Sequence, residues 1–489
     1  MNTIADQPEH PTPDVVLPAK VTNRLRWVFL SASAFVLVVS FVGAVLLAQT
    51  PWLRAESEPS EALPGSIALD SEPSGAVVWL DGEEVGATPL SVSNVAAGAH
   101  RVVLSAPDYA DWSSEIRVPP GGVVDQVAAL DPLPARLVVS TQIDQAAVSI
   151  DGKLRGVVGG DVVVEPGTHV VRVEATGHRP WQRLVQLAPN ERRSLNVELP
   201  RQWPDLARGD SISPLAVVIE NAEDARPQAG LDRADVVYEV LAEGGITRFL
   251  AIYATQGADV VGPVRSARDY LVEWAHEYSA PLVHIGASPQ GYAALATTGL
   301  ANLDEIRGQP GFWRSAARAA PHNAYTSISG ARNALGAKAR GNGTFSAFQF
   351  KEGAKRSGVP ATEATIKFGH WEYSASWAYD PISNEYLRQM DETPHLDAET
   401  GEQLRASNVL LQWTESWLIP RDTEGRLQFA QVGGGRLVAL VDGVAIEGHW
   451  QKDSYEAPTR YFAADGAVLT LNPGTTWIEV IPLTGDATF

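Results

Sequence analysis

No cysteine occurs anywhere in the 489 residues. That absence excludes disulfides, zinc-thiolate sites, thiol nucleophiles and acylation at a lipobox cysteine. Positive charge is scarce as well: 38 Lys+Arg stand against 58 Asp+Glu, for a formal net charge of −20. Nonspecific nucleic-acid binding draws its affinity from basic surface, so no nucleic-acid partner is expected and any anion site must be local. H-E-x-x-H, P-loop and paired-cysteine motifs are missing, which leaves no support for a dedicated zinc or nucleotide site. No metal site is expected, and no cofactor can be named.

Long uncharged runs are also rare, and the exception is Trp27 to Ala48, WVFLSASAFVLVVSFVGAVLLA. Its length suffices for one helical crossing of a bilayer, which takes roughly 20 residues. Lys20, Arg24 and Arg26 precede it, whereas Glu56, Glu58 and Glu61 outnumber Arg54 after it. The positive-inside rule then places the N-terminus in the cytoplasm and the bulk of the chain outside. Leu46-Leu47-Ala48 lacks the small residue expected three positions before a signal cleavage site, so the segment reads as a retained anchor in the cytoplasmic membrane. Residues 1–26 read as a polar, proline-containing cytoplasmic tail, and 49–64 as an acidic linker.

Two repeats follow. GAVVWLDGEEVGATPL and AAGAHRVVLSAPDY in the first correspond to QAAVSIDGKLRGVVGG and EPGTHVVRVEATGH in the second. Asp81-Gly82 recurs as Asp151-Gly152, each flanked by alternating apolar residues, a hairpin signature. The repeats, at 65–132 and 135–200, resemble PEGA domains. That resemblance implies small antiparallel β modules serving as spacers or adhesive units. His100 and His169 recur beside a strand, where a packing role is expected.

From Ser213 onward, short apolar runs alternate with helical stretches, the pattern of an α/β domain over 205–345. The runs FLAIY and DVVGP, joined by QGAD, are expected to be hairpin neighbours. Residues 361–489 read as a β-rich domain whose aromatics, including Trp371, Trp377, Trp413, Trp417, Trp450 and Trp477, are expected mainly in the core. The fold class is therefore multidomain: one N-terminal transmembrane helix, two small all-β PEGA-like domains, an α/β domain and a C-terminal β-rich domain.

The motifs ARPQAGL, ADVVYEVLAEGGITRFLAIY, GPVRSAR, HIGASPQ and APHNAY, in that order, resemble the YerB-like family of bacterial envelope proteins, a domain of unknown function in N- and C-terminal parts. YDPISNEYLR, ASNVLLQW, GGGRLVALVDGVAIEGHW and LNPGTTWIEVIP extend the resemblance to the C-terminus. Many members are lipoproteins; here a membrane helix stands where a lipid-bearing cysteine would be. The resemblance implies an envelope location and supplies no activity.

Site chemistry has to come from the residues. Arg248, Arg265 and Arg268 crowd into one short stretch beside Glu243-Gly244-Gly245-Ile246-Thr247. Guanidinium groups suit phosphate or carboxylate, and several in one pocket repel each other without a ligand. The alternative is a structural network with Asp235, Glu239, Glu243 and Asp269. His284 and His322 are candidate bases, and Ser266 and Ser288 candidate nucleophiles, although neither serine sits in a G-x-S-x-G elbow. Arg226, Glu243, Thr247, Gln290 and Asn323 complete the ligand-binding candidates. Three functions follow. One is a noncatalytic envelope protein binding a cell-wall glycan, an anionic ligand or an envelope protein. The second is a phosphotransferase or hydrolase acting on a phosphate-linked polymer, resembling the LytR-CpsA-Psr enzymes in arrangement rather than motif. The third is an assembly scaffold.

Overall fold

The structure, a computed structural model, describes residues 62–202, 213–339, 348–351, 357–369 and 374–489. The expected tail, the 27–48 anchor and nearly all of the linker lie outside the described residues, as does Trp371. Among the described residues no helix is long and apolar enough to cross a membrane. The described chain is mostly β with few helices.

Each repeat yields one three-stranded and one four-stranded sheet. At both hairpins the Asp-Gly pair adopts positive φ, 51° and 91° at Asp81-Gly82 and 51° and 74° at Asp151-Gly152, as a tight β-turn between twisted strands requires. The second repeat encloses its own core, in which Leu137 and Val139 from one sheet meet Val148, Ile150, Val171 and Val173 from the other. His100 Nε2 lies 2.7 Å from Ala96 O, and His169 Nε2 lies 2.7 Å from Glu165 O. Each ring thus ties down the carbonyl four residues back.

One large sheet organises the rest. Its strands are β1 (Leu215–Glu220), β2 (Val236–Leu241), β3 (Thr247–Tyr253), β4 (Leu282–His284), β5 (Asn302–Asp304), β6 (Val359–Pro360), β7 (Asn408–Thr414), β8 (Gly433–Val441), β9 (Val444–Lys452), β10 (Arg460–Ala463) and β11 (Thr476–Pro482). Their spatial order is β5-β4-β1-β3-β2-β11-β7-β8-β9-β6, with β10 also on β9. β11 lies between β2 and β7, parallel to both. The sheet therefore runs unbroken through the stretches read as an α/β and a β-rich domain.

Strands β1, β2, β3, β7 and β11 are buried along their whole length, which explains why they read as near-continuous apolar runs. Helix α1 (Asp269–Glu277) covers one face, with Trp274 stacked on Tyr238 at 4.9 Å and 10°. A six-stranded sheet containing Ser374–Asp380 and Glu385–Met390 covers the other. From it Trp377 Nε1 donates to Glu479 Oε1 at 2.8 Å, and the Trp377 and Trp477 rings meet edge to face at 5.3 Å. Trp377, Trp413, Trp450 and Trp477 are buried, whereas Trp417 is 43% exposed.

The expected hairpin between FLAIY and DVVGP does not form. β3 pairs with β1 and β2 instead. Gly244 and Gly245, at φ 68° and 75°, close the turn from β2 into β3. The Val260–Val264 stretch contains Pro263, which has no N–H for a ladder, and makes only isolated bridges such as Ile219 to Val264 and Val261 to Thr326.

Candidate functional site

β1, β2, β4, β5, β7 and β11 all point the same way, and β3 starts where they end. The carboxyl ends of these strands, where open α/β sheets place their ligands, carry Glu220, Asn221, Glu243 and His284. Arg265, Ser266 and Arg268 arrive on the segment that leads into α1.

Two carboxylates divide the arginines. Glu243 receives Arg268 Nη2 in a very short ion pair, and Arg248 Nη2 lies 3.1 Å from its other oxygen. Arg426, from the C-terminal part, approaches to 3.9 Å and is itself held by Asp422 at 2.8 Å. Arg248 also donates to Ser266 O at 3.1 Å, and Arg268 to Ser266 Oγ at 3.2 Å. Burial pushes the Arg248 guanidinium down to about 10, and the neighbouring Arg265 charge acts in the same direction. Arg268 is lowered chiefly by burial, and its buried Nε has no hydrogen-bond partner among the described residues. Glu220, nearly buried, holds Arg265 Nε at 3.2 Å and His322 Nδ1 at 3.0 Å. Arg265 is the most exposed of the three arginines, with 30% of its side chain accessible.

On the opposite sheet face a second network begins at the next residue. Asn221 Nδ2 donates to Thr247 Oγ1 at 2.7 Å, and Thr247 donates to Glu239 Oε1 at 2.7 Å. Arg226 Nε and Gln228 Nε2 donate to Asn221 Oδ1 at 3.3 and 2.9 Å. Glu239 Oε2 meets Arg388 Nη2 at 2.5 Å, and Arg388 Nη1 reaches Glu479 Oε1 at 3.2 Å, all three side chains being fully buried. Burial, reinforced by the Glu239 charge, holds the Glu479 carboxyl well above its usual range. His395, against Gln228 Oε1 at 2.7 Å, is driven well below its usual value by burial first and then by Arg388 and Arg226.

The remaining candidates are local tethers. His284 spans Gly286 O at 2.8 Å and Asn302 Oδ1 at 3.3 Å. Ser288 caps helix α2 (Pro289–Thr298), accepting from Gly291 N at 3.0 Å. Asn323 accepts from Arg314 at 2.9 Å, and Gln290 has a buried Oε1 without a partner among the described residues. Ser266 Oγ is engaged by Arg268 and Ser288 Oγ by Gly291 N, not by a histidine among the described residues. Of the carboxylates named for a structural network, Asp235 accepts from Arg179, Ala254 N and Thr255 N, and Asp269 accepts from Gln428 at 3.1 Å. Among the described residues no three His, Asp or Glu side chains gather in a way that could hold a metal.

Sequence reasoning passed over Arg388, His395, Glu479 and Arg426. Arg388 carried one readable signal. It occupies the inward position of an alternating strand, between Tyr386 and Met390, where an arginine is out of place unless paired.

Residues 206–344 match the family described as "Protein of unknown function (DUF3048) N-terminal domain", and 364–478 match its C-terminal domain. PEGA domains match at 64–132 and 135–202. The chain is 34% identical over 279 residues to "Putative lipoprotein YerB" of Bacillus subtilis (strain 168), covering 55% of this chain and 81% of that protein. The crystal structure of YerB from Bacillus subtilis superposes with a TM-score of 0.51 at 31% identity, over 57% of this chain and 94% of that one. With both DUF3048 parts present in order behind two PEGA domains, the chain belongs to the YerB-like DUF3048 family.

Proposed function

We propose that this chain is an envelope-associated, noncatalytic binding protein. In this reading it is anchored by residues 27–48 with its folded part outside the cytoplasmic membrane, and takes an anionic envelope ligand at the carboxyl ends of the central sheet. The name of its Bacillus subtilis relative, "Putative lipoprotein YerB", supports the envelope placement. One observation carries the site. Three guanidiniums, Arg248, Arg265 and Arg268, gather on two carboxylates, Glu220 and Glu243, with Arg426, itself paired to Asp422, at the edge, so the arginines outnumber the carboxylates they are bonded to. Arg265, the most accessible of the clustered arginines, is the first contact for a ligand phosphate or carboxylate, with Arg248 and Arg268 behind it. The serines are committed to Arg268 and to a helix cap, which favours binding over covalent chemistry. A scaffold is the second reading, favoured by the ion pairs of Arg248 and Arg268 to Glu243.

Thermal melts with and without phosphate, pyrophosphate and muropeptide fragments separate the two. Ligand should raise the melting temperature of the parent, and Arg265→Ala should abolish that rise at a smaller cost in intrinsic stability than Arg268→Ala, because Glu220 keeps His322 as a partner. Arg268→Ala should cost about 1–3 kcal/mol, because it removes one partner of a largely buried ion pair. A parent that no anion stabilises would sink the binding site and leave the scaffold.

A further inference from the structure

A cleft of about 1570 Å³ lies away from the arginine cluster, between the second PEGA repeat and the body carrying the large sheet. Its floor is built. Arg179, nine-tenths buried, forms a very short ion pair with the fully buried Asp235, donates to Thr475 Oγ1 at 3.3 Å and keeps an Nε without a partner among the described residues. On the wall, Arg183 of the repeat and Arg405 of the body both approach Glu385 Oε2, at 3.2 and 3.3 Å. Two guanidiniums thus share one carboxylate oxygen, with the Asp380 charge also acting on Arg183, and keep 29% and 22% of their side chains open to solvent. The Arg183 guanidinium lies 5.9 Å from the Trp181 ring, and Tyr379 adds a second partly exposed ring to the lining.

Size and chemistry narrow the occupant. The volume exceeds the roughly 300–1,000 Å³ typical of small-molecule pockets, which suits an extended ligand. Partly open rings with a polar surround suit sugars, whose C–H faces pack on aromatics while their hydroxyls meet amides and guanidiniums. Two partly open guanidiniums sharing one carboxylate match isolated carboxylates rather than the dense charge of a nucleic acid. We infer that this cleft binds an oligosaccharide strand bearing sugar carboxylates, with Arg183 and Arg405 receiving a carboxylate and Trp181 and Tyr379 packing on adjacent rings.

The test compares two probes by calorimetry on the full-length protein in detergent. One is a peptide-free strand of alternating N-acetylglucosamine and N-acetylmuramic acid; the other is chitohexaose, of equal length and uncharged. The parent should bind the acid-bearing strand about tenfold more tightly, as charge-assisted contacts allow. Arg405→Gln and Arg183→Gln should each bring the acid-bearing strand down to the level of chitohexaose. Glu385→Gln should tighten the acid-bearing strand and leave chitohexaose unchanged, a gain that a purely structural ion pair would not produce. Binding of the acid-bearing strand that survives Arg183→Gln and Arg405→Gln but is lost in Arg265→Ala would assign it to the arginine cluster and overturn the proposal. Absence of binding, equal affinity for the two strands, or weakening of both by Glu385→Gln would overturn the proposal. If one arginine variant fails to fold, the parent comparison and Glu385→Gln still decide it.

Discussion

Arg388 is the residue whose replacement should reveal most about how this fold is held. Its side chain is fully buried between Glu239 and Glu479, donates through Nε to His395 Nδ1 at 3.1 Å, and lies 4.7, 5.3 and 5.7 Å from the rings of Trp477, Trp377 and Phe249. Arg388→Met keeps much of the packing volume and removes the charge. Glu239 would keep Asn221 and Thr247, and Glu479 would keep Trp377, but both carboxylates would lose their shared counterion. Breaking a buried ion pair from one side costs about 3–5 kcal/mol. For a folded unit of this size that corresponds to a fall of roughly 6–20 °C in melting temperature. The cost should also depend on pH. Glu479 is held well above the usual carboxylate range in the folded protein, so the folded state binds its proton more tightly than the unfolded one. Stability from such a group is fully present below the unfolded pKa, about 4.3, and is lost as pH rises toward the folded value. Removing Arg388, which opposes that upward shift, should make the loss larger at pH 8 than at pH 5. Urea unfolding followed by tryptophan fluorescence at both pH values measures it, and the triple change Arg388→Met with Glu239→Gln and Glu479→Gln should recover much of the stability. A loss below about 1 kcal/mol, or one independent of pH, would refute the assignment of this triad as the electrostatic centre of the core.

Three further outcomes are expected. Residues 205–489 expressed alone should melt cooperatively, because Asp235 retains Ala254 N, Thr255 N and Thr255 Oγ1 as donors once Arg179 is gone; a broad, noncooperative melt would show that the repeats complete this core. Glu273→Gln should stabilise the protein at pH 8 and change little at pH 5, since burial, aided by Asp269, pushes the Glu273 carboxyl up to about 7 and its contribution is lost as pH rises to that value; equal melting curves at both pH values would contradict this. Protease added to intact protoplasts should remove the folded part and spare the first residues, whereas a fully protected chain would reverse the orientation drawn from Lys20, Arg24 and Arg26.

What could be read from sequence, and what could not, divides along the range of the interactions involved. β1 and β2 were visible as apolar runs because burial on both faces leaves no alternation to interpret, and the Asp-Gly turns were visible because positive φ selects those residues locally. The hairpin expected after β3 does not form because QGAD carries a turn signal that the fold does not use: Gly244-Gly245, read as a place for close ligand approach, closes the hairpin into β3, and Pro263 removes a donor from the strand that would have followed QGAD. β11 could not have been placed between β2 and β7, since nothing in TWIEVIP specifies that one neighbour, Val236 opposite Thr476, comes from far earlier in the chain. The same limit governs the site. The local stretch supplied the crowding of Arg248, Arg265 and Arg268, but their charge balance depends on Glu220 from another strand and Arg426 from the C-terminal part. A charge cluster in sequence therefore names the participants of an electrostatic network without its sign. Here that sign sets Arg265, sharing Glu220 with His322 and partly open to solvent, apart from Arg248 and Arg268, which are drawn inward onto Glu243.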